Sequence, residues 1–359
     1  IAEAALPEAQ TRALAVRMAA SCGRRLDDAC PVVDATLPDG TRLNAVLPPL
    51  SADGTLICLR TKRRSAFTLD QLVEAGTVAP GLDSVLAALI ETRASCLITG
   101  ATGTGKTTLL AALLGLVSAT ERIVCIEEAA ELRPDHPHVL HLQERGDNVQ
   151  GAGAVPMSAL VRTALRMRPD RIVLGECRGP EVRDVLTALN TGHEGGWATL
   201  HANSPADVPA RLTALGALAG LDETAVAAQA VSALDAVIHL RRSGATGGGI
   251  AGRRSPREGT AERSSTRGSD GPDSCASPEQ DVMSSRSSRT RRYVSGIGML
   301  RRGAQGSLVC EDALIVALDG AAGTVCAVSA GPAVDRLAER IGAAPVAAAM
   351  KGGTSWTPL

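Results

Sequence analysis

The clearest chemistry in the sequence belongs to a glycine- and threonine-rich stretch that ends in a lysine and two threonines. It comprises Gly100, Ala101, Thr102, Gly103, Thr104, Gly105, Lys106, Thr107 and Thr108. Glycines let the backbone curl so that successive N–H groups point at phosphate oxygens. A lysine after such a loop reaches the β- and γ-phosphates of a nucleotide, and a threonine hydroxyl beside it can bind Mg²⁺. The stretch therefore predicts a site for ATP and Mg²⁺.

The flanking segments support this interpretation. A short apolar strand is predicted over residues 96–98, and an apolar helix is predicted over residues 109–117. Strand, loop and helix in this order are the context that a Walker A phosphate-binding loop requires. The alternative is an ordinary glycine-rich turn, and the flanking strand and helix argue against it.

Acidic residues follow two other apolar strands. The predicted strand 122–126 is followed by Glu127 and Glu128, and the strand 170–175 is followed by Glu176. Ligands of open α/β sheets bind at the carboxyl ends of the strands. Glu176 has the position of a Walker B acid, which holds Mg²⁺ and its water shell. For Glu127 and Glu128 an alternative stays open, a favourable charge at the start of a helix over residues 129–132.

Two histidines and an arginine are further candidates. His193 and His201 flank a predicted strand over residues 197–200, and both ends of that strand could face the nucleotide. A lone histidine is more often structural, but two of them after a Walker B strand favour a functional role. Arg60 begins a basic cluster, for which a solvated surface is the usual explanation. An arginine that reaches the γ-phosphate is the alternative.

The elements that must position these residues fall into two groups. A helix over 8–21 and three strands over 32–37, 41–47 and 55–59 predict a small α+β module, with Pro38-Asp39-Gly40 as a hairpin turn. Strands and helices alternate from residue 69 onward, which is typical of an α/β sheet. Residues 243–292 are rich in serine and arginine and poor in aliphatic residues, so we expect a disordered insertion within a hairpin. A last helix is predicted over 333–341.

Composition limits the other possibilities. The 359 residues carry a net charge of −1 and include only one Phe, one Tyr and two Trp. Aromatic platforms for stacking single-stranded nucleic acid are therefore lacking, and no nucleic-acid partner is expected. No apolar run approaches the length of a transmembrane helix and no signal peptide is visible, which predicts a cytoplasmic protein. The sequence begins at Ile1, and residues upstream of it are left open.

Four segments in this order resemble one family. They are Gly100-x4-Gly105-Lys106-Thr107, Ile126-Glu127-Glu128-x-x-Glu131-Leu132, Arg168-Pro-Asp-Arg-Ile-Val-Leu-Gly-Glu176-Cys-Arg178-Gly179, and Thr191-Gly-His193-x7-His201-Ala-Asn203-Ser204. The set is similar to the secretion-superfamily ATPases, and within them to the Tad/Flp-type pilus assembly ATPases and their type IV secretion relatives. The similarity spans about residues 24–242, with a weaker part at 293–311.

The resemblance implies a P-loop (RecA-like) ATPase domain over residues 69–359 and a smaller α+β N-terminal domain over residues 1–68. It also implies a homo-hexamer that binds ATP between the two domains. The ring would drive an inner-membrane platform protein of a pilus or secretion machine from the cytoplasmic face of the membrane.

The resemblance also suggests roles for residues. Glu127 is a candidate for polarising the attacking water, and Glu176 serves Mg²⁺ and water, although which of the two is the base stays open. His193 and His201 sense the γ-phosphate, and Arg60 contributes from the N-terminal domain. Glu128 stands where the family usually has aspartate, a change that we expect to be tolerated.

Two rival functions remain from the sequence. One is a conjugative or DNA-translocating ATPase, which would need a basic pore or stacking aromatics. The other is a nucleotide-binding regulator with little turnover. The intact phosphate loop, acids and histidines favour the motor over this regulator.

Overall fold

The computed structural model describes residues 6–38, 40–61, 66–146, 153–243, 291–318 and 325–351. These residues form two β-sheets, one of three strands and one of nine. Most of the predicted Ser/Arg-rich insertion, with its predicted disorder, lies outside the described residues.

The small sheet belongs to the N-terminal part of the chain. Its elements are α1 (Glu8–Ser21), β1 (Val32–Thr36), β2 (Arg42–Val46) and β3 (Leu56–Arg60). The strands are antiparallel in the order β1-β2-β3. Alternating residues of β1, Val33 and Ala35, are buried in one cluster with Ala15 and Ala19 of α1. The predicted helix and hairpin are therefore confirmed.

Six parallel strands form one side of the large sheet, in the order β9-β4-β8-β7-β5-β6, with β6 at its edge. They are β4 (Cys96–Gly100), β5 (Ile123–Glu127), β6 (Val139–Gln143), β7 (Arg171–Cys177), β8 (Trp197–Leu200) and β9 (Ala236–Arg242). The accompanying helices are α2 (Leu69–Glu74), α3 (Leu82–Glu91), α4 (Lys106–Leu114), α5 (Met157–Ala164), α6 (Glu181–Asn190), α7 (Val208–Leu218) and α8 (Glu223–Ala233).

Three antiparallel strands extend the same sheet beyond β9. They are β10 (Arg292–Arg302), β11 (Leu308–Leu318) and β12 (Val325–Ala330), followed by α9 (Val334–Ile341) and α10 (Ala343–Lys351). Arg242 of β9 lies opposite Arg292 of β10, which confirms that residues 243–292 interrupt a hairpin. The sequence analysis did not predict β6, β12 or α10.

The helices cover both faces of the large sheet. Cys96 and Ile98 of β4 are buried with residues of α3, α4, α9 and α10, whereas Leu97 between them is buried with residues of α5, α6 and α8. Successive side chains of a strand point to opposite faces, so a continuous apolar run fits a strand covered on both sides. The result is an α/β fold in which all the parallel strands end at one edge.

Candidate functional site

The phosphate loop joins β4 to α4, and its first glycine is required by space. Gly100 has φ +149°, and a Cβ placed on it would lie 2.6 Å from the carbonyl oxygen of Leu240. Lys106 is the first residue of α4 and is only 7% exposed. Its Nζ donates hydrogen bonds to the carbonyl oxygens of Gly100 (3.0 Å) and Ala101 (3.3 Å). Backbone carbonyl groups of the phosphate loop thus hold the ammonium group of Lys106 in place.

Lys106, His201 and Glu176 form a continuous chain of contacts. Lys106 Nζ lies 3.4 Å from His201 Nδ1, and His201 Nε2 lies 2.5 Å from Glu176 Oε1. These residues stand at or just beyond the carboxyl ends of β4, β8 and β7, which are neighbours in the sheet. The three residues are brought together because parallel strands end at the same edge.

Burial affects the protonation of two members of this chain. It lowers the pKa of Lys106, an effect that the negative charge of Glu176 opposes. Burial is also the main reason why the pKa of His201 is lowered, and the positive charge of Lys106 lowers it further. His201 is therefore a neutral imidazole at pH 7, and its Nδ1 can accept a hydrogen bond from Lys106.

Arg178 connects two acids at this edge, and the sequence analysis did not single it out as a site residue. Its Nη2 lies 2.5 Å from Glu176 Oε2, and its Nη1 donates to Glu128 Oε2 at 2.5 Å. The sequence signal was its place two residues after Glu176, where β7 ends. Arg178 therefore bridges the two acids through an ion pair with each.

Glu127 has a different environment from Glu176. It is 4% exposed, and its Oε1 accepts hydrogen bonds from the backbone N–H groups of Glu131 and Leu132, both at 2.9 Å. Its Oε2 has no hydrogen-bond partner among the described residues and lies 3.7 Å from His141 Nδ1. Gly175 makes room for it, because a Cβ there would lie 2.7 Å from Glu127 Cγ.

These contacts correct one alternative from the sequence. Residues 128–138 form no helix and lead as a loop into β6, so Glu127 and Glu128 do not stand at the start of a helix over residues 129–132. Glu127 instead fixes this loop through the two backbone hydrogen bonds.

Two arginines of the small sheet reach the same loop. Arg60 Nη2 donates to Glu131 Oε2 at 3.0 Å, and Arg42 Nε lies 3.6 Å from Glu131 Oε1. Arg42 Nη2 also lies 3.9 Å from Glu128 Oε1. Arg42 was missed from the sequence, although it is the cross-strand partner of Arg60. The small sheet therefore meets the large one through charged side chains.

One cavity of about 730 Å³ lies between these groups. Its walls include side chains from the phosphate loop, the ends of β5, β7 and β8, and the small sheet. Among the predicted site residues, it is lined by Arg60, Thr102, Gly103, Gly105, Lys106, Thr107, Thr108, Glu127, Glu176 and His201. Gly100, Ala101 and Thr104 shape the loop behind this wall.

His193 is the exception. It precedes β8, and the register pairs Trp197 at the start of β8 with Cys96 at the start of β4, far from the loop that follows Gly100. His193 and His201 thus lie at opposite edges of the sheet, and His193 does not line the cavity. The expectation that both ends of this strand face the nucleotide is corrected, because a parallel strand carries only its carboxyl end to that edge.

The residues present could bind a divalent cation for which bound phosphates supply the remaining ligands. Thr107 offers a hydroxyl to the cavity, and Glu176, whose carboxylate contacts His201 and Arg178, lines the same cavity. The described residues contain no group of three or more His, Cys, Asp or Glu side chains that could hold a metal by themselves. One hydroxyl and one carboxylate, completed by phosphate oxygens and water, suit Mg²⁺.

Comparison with known proteins shows the family to which the chain belongs. The family model for type II/IV secretion system proteins matches residues 2–285. The chain belongs to this family. Its relatives include "Putative conjugal transfer protein Rv3659c" of Mycobacterium tuberculosis, which is 52% identical over 241 residues that span 66% of this chain and 68% of the relative. The "Type IV secretion system protein PtlH homolog" of Bordetella bronchiseptica is 37% identical, over 56% of this chain and 66% of its own.

Among solved structures, the VirB11 ATPase from the Brucella suis type IV secretion system aligns with 64% of this secretion-family chain and 74% of its own, at 25% identity and a TM-score of 0.38. The resemblance to secretion-superfamily ATPases is confirmed by the family match, and the Tad/Flp subtype stays a prediction. Within the described residues of this type II/IV secretion family member, no helix combines the length and apolarity needed to cross a membrane.

Proposed function

We propose that this chain hydrolyses ATP as one subunit of a hexameric ring that powers a Tad/Flp-type pilus or a related type II/IV secretion machine. The observation that carries the proposal is the continuous contact of Lys106, His201 and Glu176 at one edge of the sheet. These are the groups that a triphosphate and an attacking water need around the γ-phosphate. Family membership supplies the cellular context.

The proposed chemistry uses the observed contacts. Lys106 exchanges its loop carbonyls for phosphate oxygens, and His201, as a neutral imidazole, donates a hydrogen bond to a γ-phosphate oxygen. Glu127 Oε2 is free to polarise the attacking water, because the other oxygen of that carboxylate is held by the loop. Thr107 and Glu176 would hold Mg²⁺, which neutralises phosphate charge when it is bound.

The proposed motion begins at Arg60. Its guanidinium donates a hydrogen bond to Glu131. A γ-phosphate in the cavity would compete for this guanidinium, because charge-assisted hydrogen bonds from arginine to phosphate are strong. Loss of the γ-phosphate would return Arg60 to Glu131 and move the small sheet against the large one. An inner-membrane platform protein is the proposed recipient of that motion.

The experiment that tests the proposal is steady-state phosphate release by the assembled protein. Lys106→Ala should lower turnover by about 100-fold or more, since the γ-phosphate loses its nearest cation. Lys351→Ala, at the exposed end of α10, is the matched control and should leave turnover unchanged. Equal turnover in Lys106→Ala and the wild type would remove the mechanism.

A second candidate function is a role in conjugation, which the names of two relatives support. The relative at 52% identity is named "Putative conjugal transfer protein Rv3659c", and a relative from Rhizobium radiobacter at 32% identity is named "Conjugal transfer protein TrbB". Single- or double-stranded DNA should stimulate phosphate release if this chain moves DNA. We expect no stimulation, because aromatic stacking residues are nearly absent from the sequence.

We also propose the division into an N-terminal domain over residues 1–68 and an ATPase domain over residues 69–359. The small sheet and α1 have their own buried cluster, whose members all lie between Ala15 and Leu47. The proposed location is the cytoplasmic side of the inner membrane, where such a motor would meet its platform protein.

A further inference from the structure

Two arginines that have no place in the mechanism above lie beside the phosphate loop. Arg242 ends β9 and Arg292 begins β10, and they are cross-strand partners. β9 is the direct neighbour of β4, and Gly100 at the end of β4 is paired with Leu240. Two further residues along β9 therefore carry Arg242 past the start of the phosphate loop.

Distances to the loop glycines place both side chains against it. A Cβ placed on Gly103 would lie 3.8 Å from Arg242 Nη1, and one placed on Gly105 would lie 3.8 Å from Arg292 Cδ. Arg292 also lines the cavity that holds Lys106. The guanidinium of Arg242 and the stem of Arg292 thus cover the segment of backbone that cradles phosphates.

The charge of these two arginines is unbalanced in the described part of the chain. Arg42, Arg60 and Arg178, three of the other arginines that line this cavity, each have a carboxylate within ion-pair distance. No such carboxylate among the described residues accompanies Arg242 or Arg292, whose side chains are exposed. Two exposed cations beside a phosphate loop, without an acidic partner there, form a site for an anion.

The order of the strands indicates which part of the nucleotide this site meets. Glu176 and Glu127 end strands β7 and β5, on one side of β4, whereas β9 and β10 lie on its other side. The proposed reaction at the γ-phosphate takes place on the side of the acids. The arginines on the opposite side are therefore nearer to the part of the nucleotide that ADP and ATP share.

We propose that Arg242 and Arg292 bind the phosphates common to ADP and ATP, and that they set nucleotide affinity without taking part in the hydrolysis step. This inference rests on the proposed function. Binding that is equal in the ground state and the transition state changes KM and leaves kcat unaltered. The pair thus differs in role from Arg60, which responds to the γ-phosphate alone.

The test measures binding and turnover separately on the full chain. The probes are fluorescent N-methylanthraniloyl derivatives of ADP and ATP, followed by anisotropy, together with steady-state phosphate release. Arg242→Gln and Arg292→Gln should each raise Kd for both probes by about tenfold, the usual effect of losing one charge-assisted contact. KM for ATP should rise in parallel, while kcat at saturating ATP stays within about twofold of the wild type.

Arg241→Gln is the matched control. It removes the same charge from the same strand, one residue earlier, and adjacent residues of a strand point to opposite faces. Its Kd values should equal those of the wild type. Thermal unfolding without nucleotide should be the same for all three variants, because the three side chains are exposed.

Two results would overturn the inference. One is unchanged Kd in Arg242→Gln and Arg292→Gln, and the other is a fall of kcat with no change of Kd. Failure of the proposed function has a different signature, because the wild type would then bind neither probe or Lys106→Ala would bind both as well as the wild type does.

Discussion

Glu127 combines two roles in one side chain. Oε1 accepts hydrogen bonds from the backbone of the following loop. Oε2 has no hydrogen-bond partner among the described residues, and the side chain lines the cavity. A glutamine at this position keeps an oxygen for the two backbone N–H groups and loses the negative charge. An alanine loses both. These two substitutions therefore separate the chemical role from the structural one.

We predict that Glu127→Gln lowers kcat by about 100-fold or more, the usual loss on removing a general base, with a nearly unchanged free energy of unfolding. Glu127→Ala should lower kcat as much and also lower the free energy of unfolding by about 2–3 kcal/mol, because two hydrogen bonds to a charged group are lost. Phosphate release and urea unfolding measure the two effects. Wild-type kcat in Glu127→Gln would transfer the role of base to Glu176.

His239 should make the fold sensitive to acid. It lies on β9, is 1% exposed, and contacts Thr99 Oγ1 through Nδ1 at 2.8 Å. Burial, assisted by the positive charge of Arg241, lowers its pKa to about 4. The unfolded chain binds a proton near pH 6.5 and the folded one only near pH 4, so stability is lost as the pH falls through that interval.

The loss from His239 between pH 7 and pH 4.5 should be about 2.5 kcal/mol. His239→Asn cannot titrate, so its free energy of unfolding should fall by that much less than the wild-type value over the same interval. Urea unfolding at the two pH values gives the comparison, and the other titrating groups cancel between the two proteins. Parallel declines in both would show that His239 is protonated in the folded state as easily as in the unfolded one.

At the scale of elements, α10 depends on a close approach to the start of α3. Gly81 precedes α3 with φ +86°, and a Cβ placed on it would lie 2.7 Å from the carbonyl oxygen of Ala348 in α10. Gly220 has a similar φ of +75° but nothing within 4 Å of such a Cβ. The two glycines thus share a backbone conformation and differ in contact.

Gly220→Ala should cost about 1–2 kcal/mol of stability, the price of placing an L side chain in that conformation. Gly81→Ala should cost at least about 1 kcal/mol more, because it also pushes α10 away from α3. Urea unfolding of both variants measures the difference. Equal losses would mean that α10 does not pack tightly in solution.

The elements that the sequence predicted and those that it missed differ in physical character. β4, β5 and β7 each contain an apolar run that is followed by a glycine or an acid near the carboxyl end of the strand, so their position and their edge of the sheet could be predicted. β6 is shorter in apolar residues, because His141 interrupts it and Gln143 ends it, and β12 is held in the sheet by its pairing with β11. α10 is alanine-rich, and its packing against α3 is a contact between distant parts of the chain.

The site shows the same division. The sequence could predict that Lys106, Glu176 and His201 lie close together, because the carboxyl ends of parallel strands lie at the same edge of a sheet. His193 was misplaced because the sequence pattern alone did not show which end of β8 reaches that edge. Arg42, Arg242 and Arg292 were missed because their positions follow from strand register, which the sequence did not supply.

At the scale of the molecule, the small sheet meets the loop after β5 through Arg60, Arg42, Glu131 and Glu128. Exposed ion pairs contribute little to stability, with a median of about 0–1 kcal/mol. Such an interface can be rearranged at low cost when a nucleotide binds. This is the property that a moving N-terminal domain requires.

We predict that the protein assembles when it binds a non-hydrolysable ATP analogue. Light scattering should then give a mass of about six times the 36.7 kDa of one chain. The Lys106→Ala variant, in the same buffer and analogue, is the control and should not show this change. A monomer with and without the analogue would count decisively against the ring.

The junction of β9 and β10 has one more consequence. Ser243 N–H donates to the carbonyl oxygen of Arg291 at 2.8 Å, so the chain leaves the sheet after Ser243 and returns to it at a directly hydrogen-bonded neighbour. A two-residue turn spans such a gap. The intervening stretch is thus a site where a reporter protein can be inserted. It can also be replaced by a minimal turn, and in either case both strands keep their partners.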